Sequence, residues 1–151
     1  MKLPERKPNR LKDYDYSQSG AYFVTICTKD HKHLFGKITV GASVLARPNI
    51  ELSSLGRLVN SAIEHYNTNA INFVFDRCAI MPNHLHAIII IHDAAGERGR
   101  SPLRNIVRNL KGYVTKQAGK TSWQKSFHDH INRNEADYLR IAQYIENNPI
   151  T

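Results

Sequence analysis

Residues 72–91 read NFVFDRCAIMPNHLHAIIII, and the fold turns on how this stretch is parsed. Residues 72–81 carry the β-branched and aromatic content of a strand. Pro82-Asn83 then makes a turn or a strand break. Residues 84–91 form the next strand. The run Ala87–Ile91 is apolar without alternation, as expected of a central strand covered on both faces. Residues two apart in a strand share a face, so His84 and His86 stand side by side while Leu85 points into the opposite layer.

Working outward, AYFVTICT at 21–28 reads as a first strand. Residues 35–50 hold Gly36, Gly41 and Pro48 between short β-prone runs and suit a hairpin or irregular excursion. Ser53 or Ser54 caps a helix running to about Asn67, with Leu55, Leu58, Val59, Ala62, Ile63 and Tyr66 on one buried face. On the C-terminal side, 94–100 is a Gly-rich basic loop. Ser101 caps a second helix with Pro102 in its first turn. Leu103, Ile106, Val107, Leu110, Tyr113, Val114 and Gln117 mark its inward face, and Gly119 ends it. Residues 123–131 form a fourth strand. Asn134 caps a last helix carrying Tyr138, Ile141, Ala142 and Ile145, which stops before Pro149. The order predicts an α+β fold: a ferredoxin-like βαββαβ antiparallel sheet with helices on one face, plus a C-terminal helix. Residues 1–19 read as a basic N-terminal arm and 20–151 as a single domain.

The chain's 151 residues allow one sizeable core. Its 21 Lys and Arg outnumber 13 Asp and Glu, a formal charge of +8 that favours a polyanionic partner, nucleic acid before an anionic membrane. No apolar stretch approaches the roughly 20 residues needed to cross a bilayer, and the basic N-terminus lacks the apolar segment of a signal peptide. Cys27 and Cys78 lie in strand-like runs and are expected as free thiols in a reducing cytoplasm.

Two imidazoles at the spacing of His84 and His86 either hydrogen-bond as a pair at a strand start or grip one divalent ion. Tyr113 and Gln117 are four residues apart and lie one above the other on a helix. If they are buried they need polar partners, which histidines or a metal on a facing strand supply. Otherwise Tyr113 edges the core and Gln117 marks the helix surface. His128 and His130 repeat the His-x-His spacing and suit structural or DNA-contacting roles better than metal ligation.

The chain resembles the HUH single-tyrosine transposases, and within them the REP-associated tyrosine transposase branch. The likeness is carried by DYS at 15–17, AYFVTICT at 21–28, MPNHLH at 81–86, LKGY at 110–113, WQKSFHDH at 123–130 and YIENNP at 144–149, in order along nearly the whole chain. The resemblance implies a metal-dependent endonuclease and strand transferase, acting at hairpin or palindromic single-stranded DNA through a 5′-phosphotyrosine. By it, His84 and His86 match the metal-binding histidines, Tyr113 the nucleophile and Gln117 a third ligand. Mg²⁺ or Mn²⁺ suits such N and O donors. Lys116 and Lys120, near the azimuth of Tyr113, and Arg6, Arg10 and Lys12 of the arm are the expected DNA contacts. Arg104, Arg108 and Lys111 form a stripe on roughly the opposite side of that helix, expected to be solvated. A cytoplasmic, nucleoid-associated protein, monomer or homodimer, follows. The rival readings are a domesticated relative that holds hairpin DNA without cutting, a metal-dependent hydrolase using water, and a basic structural protein.

Overall fold

β5 (His84–Ile91) sits inside the sheet, between β4 (Phe73–Met81) and β1 (Gly20–Cys27). The structure, a computed structural model, describes residues 20–39, 49–92, 102–132 and 134–147. Beyond β1 the sheet is closed by β6 (His128–Asn132), giving the order β4-β5-β1-β6 with every neighbour antiparallel. Between β1 and the helix that follows, β2 (Gly36–Thr39) and β3 (Asn49–Leu52) pair as a separate two-stranded ribbon. The helices are α1 (Ser54–Asn69), α2 (Pro102–Ala118) and α3 (Glu135–Asn147). Setting the ribbon aside, this is the expected βαββαβ sheet with its added C-terminal helix. The expected arm at 1–19, the loop at 94–100 and the Ser101 cap lie outside the described residues.

The sheet separates two apolar clusters. On one face α1 and α2 pack Val59, Leu103, Val107, Leu110 and Val114 against Tyr22, Val24, Ile26, Leu85, Ala87 and Ile89. On the other, α3 places Ile141, Ala142 and Ile145 on Ile88, with Phe23, Ala79 and Ile90 at the margin. β5 is therefore apolar from Ala87 to Ile91, where both of its faces are covered. Its alternate residues serve different layers.

Local chemistry fixes the ends of the helices. Ser53 caps α1: its hydroxyl accepts from the Gly56 amide at 3.1 Å and donates to the Leu34 carbonyl at 2.6 Å. Asn134 caps α3, its side-chain oxygen accepting from the Asp137 amide at 2.8 Å. Gly119 follows α2 at φ +75°, a conformation glycine adopts without strain.

Two local features depart from a regular ladder. The fourth strand begins at His128 and not at Trp123. Trp123 is buried edge-on to Phe35, with ring centroids 5.1 Å apart, and forms only an isolated bridge with Thr28. Ser126, at φ +70°, interrupts the extended chain, while Lys111 Nζ donates to the carbonyls of Gln124 and Ser126 at 3.0 and 2.7 Å. Lys111, expected on a solvated stripe, is thus a half-buried clasp for this turn. In β4 the register shifts between Phe75 and Arg77, so Asp76 is the extra residue of a β-bulge.

Candidate active site

His84 and His86 occupy the first turnings of β5 on the face that α3 covers. His84 lies across from Cys27 and Met81, and His86 across from Thr25 and Ala79. Their rings approach edge to face, with centroids 4.4 Å apart. His84 Nδ1 meets Asn83 Oδ1 at 2.6 Å. An amide oxygen only accepts, so that nitrogen carries the proton and Nε2 keeps its lone pair. His86 Nδ1 meets the Thr25 hydroxyl at 3.0 Å. In both rings the nitrogen left over for a further partner is Nε2. Burial lowers the pKa of His84, with the nearby His31 charge adding to the effect. Burial, with His84 beside it, lowers that of His86 to about 4. Both imidazoles are neutral at pH 7, the form a metal requires.

α3 brings a tyrosine to this pair. The ring of Tyr144 lies 5.6 Å from that of His86, at 67°. His86 stacks its other neighbour, Phe23, at 5.3 Å and 24°. Tyr144 remains 46% exposed. Two polar ties fasten α3 to the bulged edge of β4: Tyr138 donates its hydroxyl to the Asp76 carboxylate, and Arg77 pairs with Glu146 at 3.2 Å. The hydrogen bond to Asp76 is also the main cause of the raised Tyr138 pKa.

An uncharacterized protein of Haemophilus influenzae is 36% identical to this chain over an alignment of 169 positions, covering 98% of this chain and 90% of that protein. The chain belongs to that protein's family. No protein-family model matches it. Among solved structures, a REP-associated tyrosine transposase bound to a REP hairpin aligns with a TM-score of 0.63 at 21% identity, over 98% of this chain and 73% of that one. The likeness is one of fold.

The tyrosine expected opposite the histidines is elsewhere. Tyr113, on α2, stacks on His65 of α1 at 5.4 Å and 17° and meets Tyr66 edge-on at 6.2 Å. Gln117, Lys116 and Lys120 are exposed on or just beyond the same helix. The sheet therefore lies between Tyr113 and the histidine pair, and Gln117 is not brought to it either. The cause is strand parity. The stripe that carries Tyr113 includes Leu103, Ile106 and Leu110, which pack on the face of Leu85, Ala87 and Ile89, while His84 and His86 occupy the alternate positions.

Tyr144 was legible only as part of the run YIENNP. One further signal stood in the sequence: Asn148 follows Tyr144 by four residues, the spacing of Tyr113 and Gln117, though residue 148 lies outside the described residues, as do Arg6, Arg10 and Lys12. Among the described residues no three His, Cys, Asp or Glu side chains converge as a ready metal cage. Two neutral imidazoles with free Nε2 atoms nonetheless fit an ion that keeps most of its positions open, as a catalytic ion does. Of the two free thiols, Cys27 faces this side and Cys78 the α2 side. Burial and the Asp76 charge push Cys78 up to about 12, so it is an inert core thiol.

Proposed function

We propose that the protein is a metal-dependent single-strand DNA endonuclease and strand transferase of the transposase kind, acting at hairpin or palindromic repeat DNA, with Tyr144 and not Tyr113 as its nucleophile. The observation that carries this reading is the Tyr144 ring 5.6 Å from His86, on the same face as His84. It is supported by the fold shared with a transposase bound to a DNA hairpin and by the formal charge of +8.

His84 and His86, through Nε2, are the residues that would hold Mg²⁺ or Mn²⁺. Such an ion offsets the charge of a phosphodiester's non-bridging oxygens and orients the phosphorus. Asn83 and Thr25 fix the two rings through Nδ1, and second-partner contacts of this kind set ligand orientation. Tyr144 Oη attacks the phosphorus: the Oη–P bond forms, the P–O3′ bond breaks, the phenol proton leaves to solvent and the departing 3′ oxygen takes up a proton. The products are a 5′-phosphotyrosine and a free 3′-OH. The ester is retained, so a second 3′-OH reverses the step on another strand without ATP. Tyr144 and both histidines belong to one chain, so a monomer suffices for these three groups. Arg6, Arg10 and Lys12 add basic charge for tracking a strand.

A denaturing gel of protein incubated with labelled hairpin DNA and Mg²⁺ or Mn²⁺ tests the assignment. A covalent protein–DNA band is expected from the native chain and from Tyr113→Phe. EDTA and Tyr144→Phe should each remove it. A band lost with Tyr113→Phe and kept with Tyr144→Phe would return the nucleophile to α2. Cleavage that survives both substitutions would mean a water-using hydrolase, and binding without any adduct a domesticated hairpin-binding protein.

A further inference from the structure

Beside Tyr144, a cleft of about 410 Å³ opens between β6 and α3, lined by Phe23, His130, Arg140, Ile141 and Tyr144. A second hollow of about 670 Å³ shares His130 and Arg140 in its lining and reaches Asn134. The first hollow has the size of a small-ligand site. Its lining divides into two chemistries, aromatic and aliphatic at Phe23, Ile141 and Tyr144, cationic or hydrogen-bonding at His130 and Arg140.

The polar half is organised by one carboxylate. Asp137 Oδ2 meets His130 Nε2 at 2.9 Å, and Asp137 Oδ1 accepts from Arg140 Nη2 at 2.5 Å. Asp137 is itself only 15% exposed in its side chain, whereas those of His130 and Arg140 are 49% and 72% exposed. A largely sheltered anion thus holds two exposed donors in place, and each keeps N–H groups or a ring nitrogen that Asp137 does not use. Asp137, Arg140 and Tyr144 fall at i, i+3 and i+7, one stripe of α3 facing β6. The phosphate-binding chemistry of Arg140 therefore lies one helical turn from the tyrosine.

We propose that this cleft seats the nucleotide adjacent to the scissile phosphodiester, on a single strand. Its base lies against Phe23 and Ile141, and its phosphate is held by Arg140 and His130. A strand whose phosphate reaches Tyr144 must leave the site in two directions, and this cleft is a bordering hollow that offers both an apolar wall for a base and paired donors for an oxyanion. Base stacking on aromatic side chains and Arg–phosphate contacts are the two recurring devices of single-strand recognition. The proposal rests on the reading of Tyr144 as the nucleophile, and it adds a determinant of which base flanks the cut.

The test is fluorescence anisotropy with the full chain in EDTA, so that nothing is cleaved. The probes are a fluorescein-labelled DNA hairpin with a four-nucleotide single-stranded tail, 5′ or 3′, and the same hairpin blunt-ended. Arg140→Ala is expected to weaken one tailed probe about tenfold, the size of one charge-assisted contact, and to leave the blunt probe unchanged. His130→Ala should act in the same direction, and Arg140→Lys should recover most of the loss. Removing the base at a single tail position should weaken the native chain's binding by a comparable factor. Equal losses on tailed and blunt probes would overturn the cleft as a nucleotide seat, because they would mark Arg140 as a general electrostatic contact. No loss on any probe would overturn it equally. If the native chain forms no covalent adduct while tail binding still depends on Arg140, the nuclease reading falls and with it the scissile phosphate as neighbour, and the cleft stands as a single-strand nucleotide seat only.

Discussion

The two faces of this sheet are made from alternate residues of the same strands, yet they do different jobs. The face under α1 and α2 is apolar throughout its centre, with Tyr22, Val24, Ile26, Leu85, Ala87 and Ile89 all buried. The face under α3 shares its ground between Ile88, Ile141, Ala142 and Ile145 and the polar groups of Thr25, His84, His86 and His130. Burial of apolar area, at roughly 25 cal/mol per Å², puts most of the stability on the first face. The second can carry imidazoles because Asn83 and Thr25 satisfy them, and because one helix leaves part of the sheet open. Strand parity lets a small protein separate its main core from its candidate site within a single layer.

That separation can be broken or sharpened by measurement. The largest effect should come from Leu110→Ala, which empties space in the α2 face and should cost about 3 kcal/mol in urea denaturation. Adduct yield per folded molecule should not change, and a parallel fall would show that the faces are coupled. Next in size is pH. Burial, with His84 beside it, lowers the folded pKa of His86 to about 4 from its ordinary value of 6.5, so between those values the unfolded chain binds the proton that the native chain refuses. Metal-free protein should therefore lose stability as pH falls from 6.5 towards 4, by up to about 1.4 kcal/mol per pH unit for this group. His84, shifted the same way, adds to the slope, and His86→Gln should flatten it. The smallest effect is expected from Thr25→Val, which removes the hydroxyl fixing His86. Titration calorimetry should give Mn²⁺ affinity about tenfold weaker, with little change in the denaturation midpoint.

The fold could be read from sequence where one periodicity or one capping residue decided it. The unbroken apolar run after His86 marked a strand covered on both faces, and Ser53, Asn134 and Gly119 marked helix ends. The fourth strand was read too long because its interruption is tertiary: Ser126 at φ +70° and the Lys111 clasp come from distant packing. At the site, the histidine pair was legible because period two fixes its geometry. The partner tyrosine was not, since α1, α2 and α3 all carry tyrosines and sequence does not say which helix covers which face. Tyr144 also falls outside the buried stripe of Ile141, Ala142 and Ile145, so an amphipathic reading of α3 assigns it to the surface.

The bulge at Asp76 acts on β4 as a frameshift acts on a coding strand. Before it, Phe73 and Phe75 serve the α2 side. After it, Cys78 and Ile80 serve that side, while Arg77, Ala79 and Met81 turn to α3. Deleting Asp76 would restore an unbroken ladder, with Phe75 against Ile89 and Arg77 against Ile88, and would leave both halves of the strand in their present layers. The same deletion removes the acceptor of Tyr138, one of the two ties of the helix that bears Tyr144. One surplus residue thus shifts the sequence pattern of an outer strand and anchors the candidate nucleophile's helix.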